Sequence, residues 1–171
     1  VQTGLQIALR EGYDMAIQVD GDGQHPPEEI HKLLQGLRDS DCDLVVGSRF
    51  RMPGGTKSTA VRRLGIRFFS WVLSKICGTR ITDATSGFRV MNRRAIAVLA
   101  RDYSEDYPEV EALLVAHRAG LRICEVPVQM LERMSGKSSV GGLKSFGYML
   151  KVSLAILMTL LRDPEAERGR I

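Results

Sequence analysis

The sequence predicts an α/β fold in which helices flank a mostly parallel sheet. Four short apolar segments resemble strands, over 13–19, 43–47, 87–91 and 121–130. Between and around them, apolar residues recur at helical spacing, over 1–11, 27–40, 59–77, 93–100, 108–118 and 143–161. Alternation of strands and helices is typical of βαβ units, and 171 residues are enough for one domain with a sizeable core.

Two of the strands carry further information about the sheet. The segment 13–19 is strongly apolar, which predicts a central strand buried on both faces. As it is the first strand, we expect its neighbours to come from upstream sequence, so that the first strands of the domain are missing. Pro127 cannot donate a ladder hydrogen bond, so the last strand is expected at an edge or a bulge.

Basic residues are unevenly distributed in a chain of net charge +4. Between Asp43 and Asp83 there are eight Lys or Arg residues and no acid, and 134–161 is also free of acids. Such regions indicate phosphate ligands or an anionic membrane surface. No nucleic-acid-binding motif accompanies the charge, so no nucleic acid partner is predicted. The most apolar segment, 152–161, is too short for a membrane span of about 20 residues.

The three cysteines, Cys42, Cys77 and Cys124, lie far apart and form no CxxC pattern. Their spacing predicts neither a zinc site nor a disulfide framework.

Two carboxylates, Asp20 and Asp22, follow the apolar segment 15–19. Side chains at i and i+2 of an extended chain point the same way, so both can reach one cation. Carboxylate oxygens suit Mg²⁺ or Mn²⁺, and ligands of open α/β sheets bind at the carboxyl ends of strands. A simple turn followed by a helix start is the alternative, because Asp-Gly pairs commonly form turns.

Three other segments could contribute to a site. The segment 133–139 combines two cations, three hydroxyls and a glycine, a composition that can hold a diphosphate. Leu131 stands where a P-loop requires glycine, so a P-loop NTPase is not expected. The segments 83–89 and 108–111 carry acids, but their default interpretations are a simple turn and a helix start. The segment 133–139 is equally compatible with an ordinary basic loop.

In their order along the chain, these segments resemble family 2 glycosyltransferases with the GT-A (Rossmann-like) fold, particularly the polyprenyl-phosphate sugar synthases. The resemblance covers about residues 1–145 and rests on QVDGDGQHPPE, DLVVGSRF, ITDATSGFRVMNRRA, EVPVQMLER and RMSGKSS. It implies a catalytic domain over 1–142, with its N-terminus missing, and an amphipathic C-terminal helix and polar tail over 143–171. It also implies metal ligands in Asp20, Asp22 and Gln24.

The resemblance further implies which residues bind substrate and what reaction follows. Substrate-binding residues would be Arg49, Ser86, Arg89, Arg133, Gly136, Lys137 and Ser138. The reaction would be inverting transfer of a sugar from a nucleoside-diphosphate sugar to a polyprenyl phosphate, with Asp22 catalytic through the metal. Asp83 or Glu111 would serve as base for a hydroxyl acceptor.

The implied enzyme is peripheral, at the cytoplasmic face of an anionic membrane. Without the upstream strands, residues 1–171 alone are expected to be inactive or nearly so. Transfer to a glycan hydroxyl and a truncated, non-catalytic module that binds lipid or membrane are the alternatives.

Overall fold

The computed structural model describes residues 1–51, 60–103 and 108–131, with the backbone alone for 60–63. The elements, in chain order, are α1 (Gln2–Arg10), β1 (Met15–Gln18), α2 (Ile30–Asp39), β2 (Leu44–Ser48), α3 (Ala60–Cys77), β3 (Arg89–Asn92), α4 (Arg93–Arg101), α5 (Pro108–Arg118) and β4 (Ile123–Pro127). A short 3-10 turn, Pro27–Glu29, leads into α2. The predicted helix over 143–161 and the domain boundary after 142 lie outside the described residues.

The four strands form one open sheet in the order β1-β3-β2-β4. Strand β3 is antiparallel to both β1 and β2, and β2 is parallel to β4. Three strands therefore share one direction, but two of the three neighbouring pairs are antiparallel, so the sheet is mixed; the predicted α/β class, an open sheet flanked by helices, is confirmed. The insertion of the reversed β3 was not predicted, because periodicity carries no information on strand direction. The turn that precedes β3 lies beside the end of β2, where the Oγ of Ser48 is 2.7 Å from the Oγ1 of Thr82. Because β3 starts near the end of β2, it runs antiparallel to β2.

Strand β1 does not occupy the buried central position that its sequence predicted. It pairs only with β3 among the described residues, and its side chains alternate between exposed and half-buried. Met15 and Ile17 are 40% and 38% exposed, on the same face of the strand. The prediction is wrong for this strand because an apolar run shows hydrophobicity but not the number of neighbours. Among the described strands β4 lies at an edge of the sheet, which agrees with the edge or bulge that Pro127 predicted.

The core consists of two apolar layers, one on each face of the sheet. Leu44 and Val46 of β2 pack with helices α1, α3, α4 and α5, whereas Val45 packs with α2 on the other face. All five residues of β2 are buried, and β2 and β3 are the two interior strands of the sheet. Gly36 allows α2 to approach β4, because a Cβ there would lie 2.6 Å from the Cγ1 of Val126.

A disulfide joins Cys42, just before β2, to Cys124 on β4. The prediction that the cysteines form no disulfide is therefore wrong. The two residues are 82 positions apart, and only the parallel pairing of β2 with β4 brings their Cα atoms to 6.0 Å. Cys77 is the free cysteine.

Within residues 1–51, 60–103 and 108–131, no helix combines the length and hydropathy that crossing a membrane requires.

A buried carboxylate, Asp43, fastens the beginning of β2 to the neighbouring chain segments. It accepts hydrogen bonds from the Nδ2 of Asn92 at 2.9 Å, the backbone N of Arg122 at 2.8 Å and the Nη1 of Arg94 at 3.4 Å. Burial alone would raise the pKa of Asp43, but these hydrogen bonds and nearby cations outweigh it and lower the pKa overall.

Asp43→Asn should destabilise the fold at neutral pH and much less in acid. Because the pKa of Asp43 is lower in the folded state, its contribution is complete above its unfolded pKa of about 4 and is lost as pH falls through the folded pKa. We expect a loss of about 1.5–3 kcal/mol at pH 7. Urea unfolding of wild type and variant between pH 3 and 7 measures it.

Asp41→Asn is the matched control, since Asp41 is 89% exposed and its ion pair with Arg122 lies on the surface. It should change the free energy of unfolding by less than about 1 kcal/mol. A stability difference for Asp43→Asn that is the same at pH 3 and pH 7 would contradict the prediction.

Candidate functional site

The paired acids lie in a tight turn directly after β1. Asp22 accepts a hydrogen bond through Oδ1 from the backbone N of Gln24 at 3.0 Å, and Gly23 adopts a φ of 76°, in the left-handed region. The turn that the sequence left as an alternative is therefore what the backbone adopts. It nevertheless keeps both carboxylates together, since Asp20 and Asp22 both act electrostatically on His25 and Arg49.

His25 fixes the start of this turn. Its Nδ1 accepts a hydrogen bond from the backbone N of Asp20 at 3.1 Å, and its ring stacks on Phe88 at 4.6 Å between centroids. Burial lowers the pKa of His25, although the carboxylates of Asp20 and Asp22 act in the opposite direction. The ring is thus neutral at pH 7 and serves as an acceptor. The sequence analysis missed this role, although a histidine within a polar turn was a signal for it.

The segment before β3 packs directly against the first acid. A Cβ placed on Gly87 would lie 2.6 Å from the Oδ1 of Asp20, so a side chain there would displace that carboxylate. Residues 83–89, predicted as a site segment, therefore do lie beside the acid motif.

Arg49 and Asp83 form a bidentate ion pair at the end of β2. The Nε and Nη2 atoms of Arg49 donate to the two carboxylate oxygens of Asp83, both at 2.7 Å, and the Arg49 backbone N donates at 3.1 Å. The side chains are 12% and 0% exposed. Burial would lower the pKa of Arg49, but Asp83, with help from Asp20 and Asp22, raises it overall. The structure thus brings together four of the predicted site residues: Asp20, Asp22, Arg49 and Asp83.

Glu125 supports this ion pair from β4. Its Oε1 accepts from the backbone N atoms of Thr82 and Asp83 at 2.8 and 2.9 Å, and its Oε2 accepts from the Thr82 hydroxyl at 2.6 Å. Glu125 is 7% exposed. Sequence reasoning missed it, although an acid inside an otherwise apolar strand was an available signal.

Glu125→Ala should destabilise the protein, whereas Glu125→Gln should be mild. Alanine leaves the N–H groups of Thr82 and Asp83 buried without an acceptor, at about 1–3 kcal/mol for each group. Glutamine keeps an oxygen for both of them and serves as the matched control. Urea unfolding and transfer activity of both variants give the comparison. An equal loss in the two variants would show that the charge matters rather than the hydrogen bonds.

Arg89 and Ser86 lie inside the domain rather than on an open surface. Arg89 is 1% exposed, and its Nε donates to the carbonyl oxygen of Ser86 at 2.8 Å. Its Nη2 donates to the carbonyl oxygen of Glu109. Its Nη1 has no hydrogen-bond partner within the described chain. Burial lowers the pKa of Arg89.

Glu111, the other predicted base, lies on α5 and is half-buried. It has no hydrogen bond to the acid motif in the part of the chain that the structure describes. Arg133, Gly136, Lys137 and Ser138 lie outside the described residues.

The chain after β4 returns to the acid motif. The backbone N of Leu131 donates to the carbonyl oxygen of Gln24 at 2.9 Å, and the Nε2 of Gln24 donates to the carbonyl oxygen of Leu131 at 3.2 Å. Leu131 precedes the segment 133–139 by two positions. Since Gln24 donates through nitrogen, its amide oxygen is the atom that a cation would use.

The residues of the acid motif are of the kind that magnesium or manganese accepts as ligands. Asp20, Asp22 and Gln24 offer hard oxygen donors, and the described residues contain no cluster of three or more His, Cys, Asp or Glu that could form a complete cage. Mg²⁺ is usually bound through one or two carboxylates together with substrate phosphates and water, which matches this sparse donor set.

An open α/β sheet with paired carboxylates at a strand end is an architecture in which enzymes bind ligands beyond the carboxyl ends of strands. Residues 2–99, more than half of the chain, match the family model Glycosyl transferase family 2. The chain therefore belongs to this family, as the sequence resemblance predicted.

Several curated proteins are similar to this chain. A UDP-N-acetylglucosamine–dolichyl-phosphate N-acetylglucosaminyltransferase of Methanococcus voltae is 34% identical over 135 residues, covering 75% of this chain and 53% of the relative. An undecaprenyl-phosphate mannosyltransferase of Micrococcus luteus is 33% identical over 81% of this chain and 58% of the relative. A polyprenol monophosphomannose synthase of Mycolicibacterium smegmatis is 32% identical over 88% and 58%. The chain thus spans a little over half the length of these relatives.

Proposed function

We propose that this chain is the catalytic domain of an enzyme that transfers a sugar from a nucleoside-diphosphate sugar to a polyprenyl phosphate of the dolichyl or undecaprenyl type. The names of three relatives, each with a lipid phosphate acceptor, support this acceptor class. The observation that carries the proposal is the mutual hydrogen bonding of Gln24 and Leu131. It places Leu131, two positions before the basic segment 133–139 in the sequence, beside the acid motif, which supports joint action of those cations and the carboxylates on one diphosphate.

The acids and the basic segment have complementary tasks in this reaction. Asp20, Asp22 and the amide oxygen of Gln24 would hold Mg²⁺ or Mn²⁺, which neutralises charge on the departing nucleoside diphosphate. Arg133 and Lys137 would bind the same phosphates, with Gly136 and Ser138 offering backbone and hydroxyl groups. His25 accepts a hydrogen bond from the backbone N of Asp20, and Gly87 leaves the space that the Asp20 carboxylate occupies.

The acceptor attacks without help from a base. An oxygen of the polyprenyl phosphate forms a bond to the anomeric carbon, the bond from that carbon to the diphosphate oxygen breaks, and the configuration inverts. A phosphate monoester is already an anion at neutral pH, because its second pKa is about 6. This agrees with the state of Asp83, whose two oxygens accept hydrogen bonds from Arg49. Arg49, Ser86 and Arg89 would shape the acceptor side, and Asp83 or Glu111 would act as base only for a hydroxyl acceptor.

We place the enzyme peripherally, at the cytoplasmic face of an anionic membrane, where its lipid acceptor is found. The acid-free region between Asp43 and Asp83 supports this placement through its eight cations.

A transfer assay with the full-length protein tests the proposal. Radiolabelled UDP- and GDP-sugars are offered with Mg²⁺ or Mn²⁺ and undecaprenyl phosphate, and product is measured in the organic phase. The matched control is the same polyprenol without phosphate, which should accept nothing. Transfer to the polyprenol or to a free glycan, but not to the lipid phosphate, would show a hydroxyl acceptor. Donor and metal binding without any transfer would show a non-catalytic module.

A further inference from the structure

Helix α3 has two apolar faces, and the residues that the structure describes cover only one of them. Ile66, Phe69 and Leu73 are 5%, 2% and 0% exposed and pack into the core. The outer face of α3, by which we mean Leu64, Arg67, Phe68, Trp71 and Lys75, points away from it. Its three apolar members are 68%, 43% and 61% exposed. Of the three aromatic residues of this helix, Phe69 is therefore buried, whereas Phe68 and Trp71 are exposed.

The outer face is a continuous stripe rather than scattered residues. Leu64, Phe68, Trp71 and Lys75 are spaced four, three and four positions apart, which aligns them along one side of a helix. Phe68 also rests edge-on against the buried ring of Phe69, at 5.5 Å between centroids, which limits its motion. Exposed apolar stripes of this kind usually contact a partner or a membrane.

We propose that the outer face of α3 lies in the headgroup region of an anionic bilayer and docks the enzyme there. Tryptophan, phenylalanine and leucine with flanking cations form the composition of helices that lie in this interface. Arg67 and Lys75 are exposed beside the stripe, and long cationic side chains can bury their stems while their charges reach lipid phosphates. The inference rests on the proposed function, because a lipid acceptor requires the enzyme to approach a membrane.

Charge complementarity favours a bilayer over a protein partner. No acid occurs between Asp43 and Asp83, so the whole helix and its flanking segments would approach an anionic surface without repulsion. The apolar centre of a protein interface is generally depleted of lysine.

The docked helix would also hold the site at the membrane. On its inner side, the Oγ of Ser74 accepts a hydrogen bond from the Ile81 backbone N at 2.9 Å. Ile81 immediately precedes Thr82 and Asp83, the turn that binds Arg49 and Glu125. Docking of α3 would therefore set the distance between this turn and the bilayer surface, where the phosphate of a lipid acceptor would lie.

Trp71, the single tryptophan of the chain, reports directly on docking. In vesicles of phosphatidylcholine with 30% phosphatidylglycerol, its emission should shift to shorter wavelength, and bromine atoms near the headgroups should quench it. Binding should weaken as salt is raised. Arg67→Gln with Lys75→Gln should weaken binding about 30-fold, from about 1 kcal/mol for each cation.

Leu64→Ser with Phe68→Ser should abolish the blue shift without unfolding the protein, because both side chains are exposed. The matched control is Ile7→Ser, which removes an equally exposed apolar side chain, 45% exposed, from α1. It should leave vesicle binding unchanged.

Three results would overturn the docking proposal. The first is no spectral change with anionic vesicles at low salt. The second is a Trp71 emission that is already blue-shifted without lipid, which would mean that another segment of the chain covers the face. The third is a dimer without lipid that dissociates in the Leu64→Ser and Phe68→Ser variant. Transfer to a short-chain, water-soluble phosphate acceptor separates the two proposals. That reaction should persist in this variant, and its absence in the wild type would count against the proposed function alone.

Discussion

Asp22→Asn should reduce sugar transfer by about 100- to 1000-fold while the fold remains intact. Asparagine has nearly the same shape as aspartate, and its oxygen can still accept the hydrogen bond from the backbone N of Gln24. What is lost is the negative charge that a divalent cation requires. We therefore expect an unchanged melting temperature together with a much higher requirement for Mg²⁺ or Mn²⁺.

The measurement is the initial rate of transfer across a titration of metal, with unfolding followed on the same preparations. Asp14→Asn is the matched control, since Asp14 precedes β1, is 87% exposed and forms only a long surface contact with Arg93. It should behave as wild type. If Asp22→Asn left both the rate and the metal requirement unchanged, this turn would not be the metal site.

Asp83→Asn should have the largest effect on stability, a loss of about 3–5 kcal/mol. The carboxylate is fully buried, and its neutralisation leaves the Arg49 guanidinium with little exposure to water and without its counter-charge. Urea unfolding at pH 7 measures the loss. Transfer should fall as well, because the turn that Asp83 anchors packs against Asp20 through Gly87.

A second substitution tests whether the stability loss of Asp83→Asn arises from the unpaired charge of Arg49. Arg49→Met combined with Asp83→Asn should be less destabilising than the sum of the single changes, since no unpaired charge remains. Arg93→Gln is the control for removal of an exposed ion pair and should cost less than about 1 kcal/mol. Strict additivity of Arg49→Met and Asp83→Asn would mean that the two residues do not act as a pair.

Contacts between residues close in the sequence could be predicted, whereas contacts between distant residues could not. Asp20, Asp22 and Gln24 are neighbours, so their meeting in one turn is a local property. The helices follow from periodicity, and α5 occurs over 108–118 as predicted. Arg49 and Asp83 were both candidates, yet their pairing across 34 positions depends on how the sheet is threaded. The same holds for Glu125 and for the disulfide, whose partners meet only because β2 and β4 are adjacent.

Because β3 runs in the opposite direction to its neighbours, the candidate site lies at one end of the sheet and the contacts of Asp43 lie at the other. The turns after β1 and β2 and the turn before β3 all emerge at one end, where the acids, Arg49 and Asp83 lie. The opposite end is held by Asp43 with Asn92 and Arg122. An engineer could therefore exchange surface residues near Asp41 or graft a tag there while leaving donor and acceptor preference untouched. Changes of sugar specificity would have to be sought at the other end.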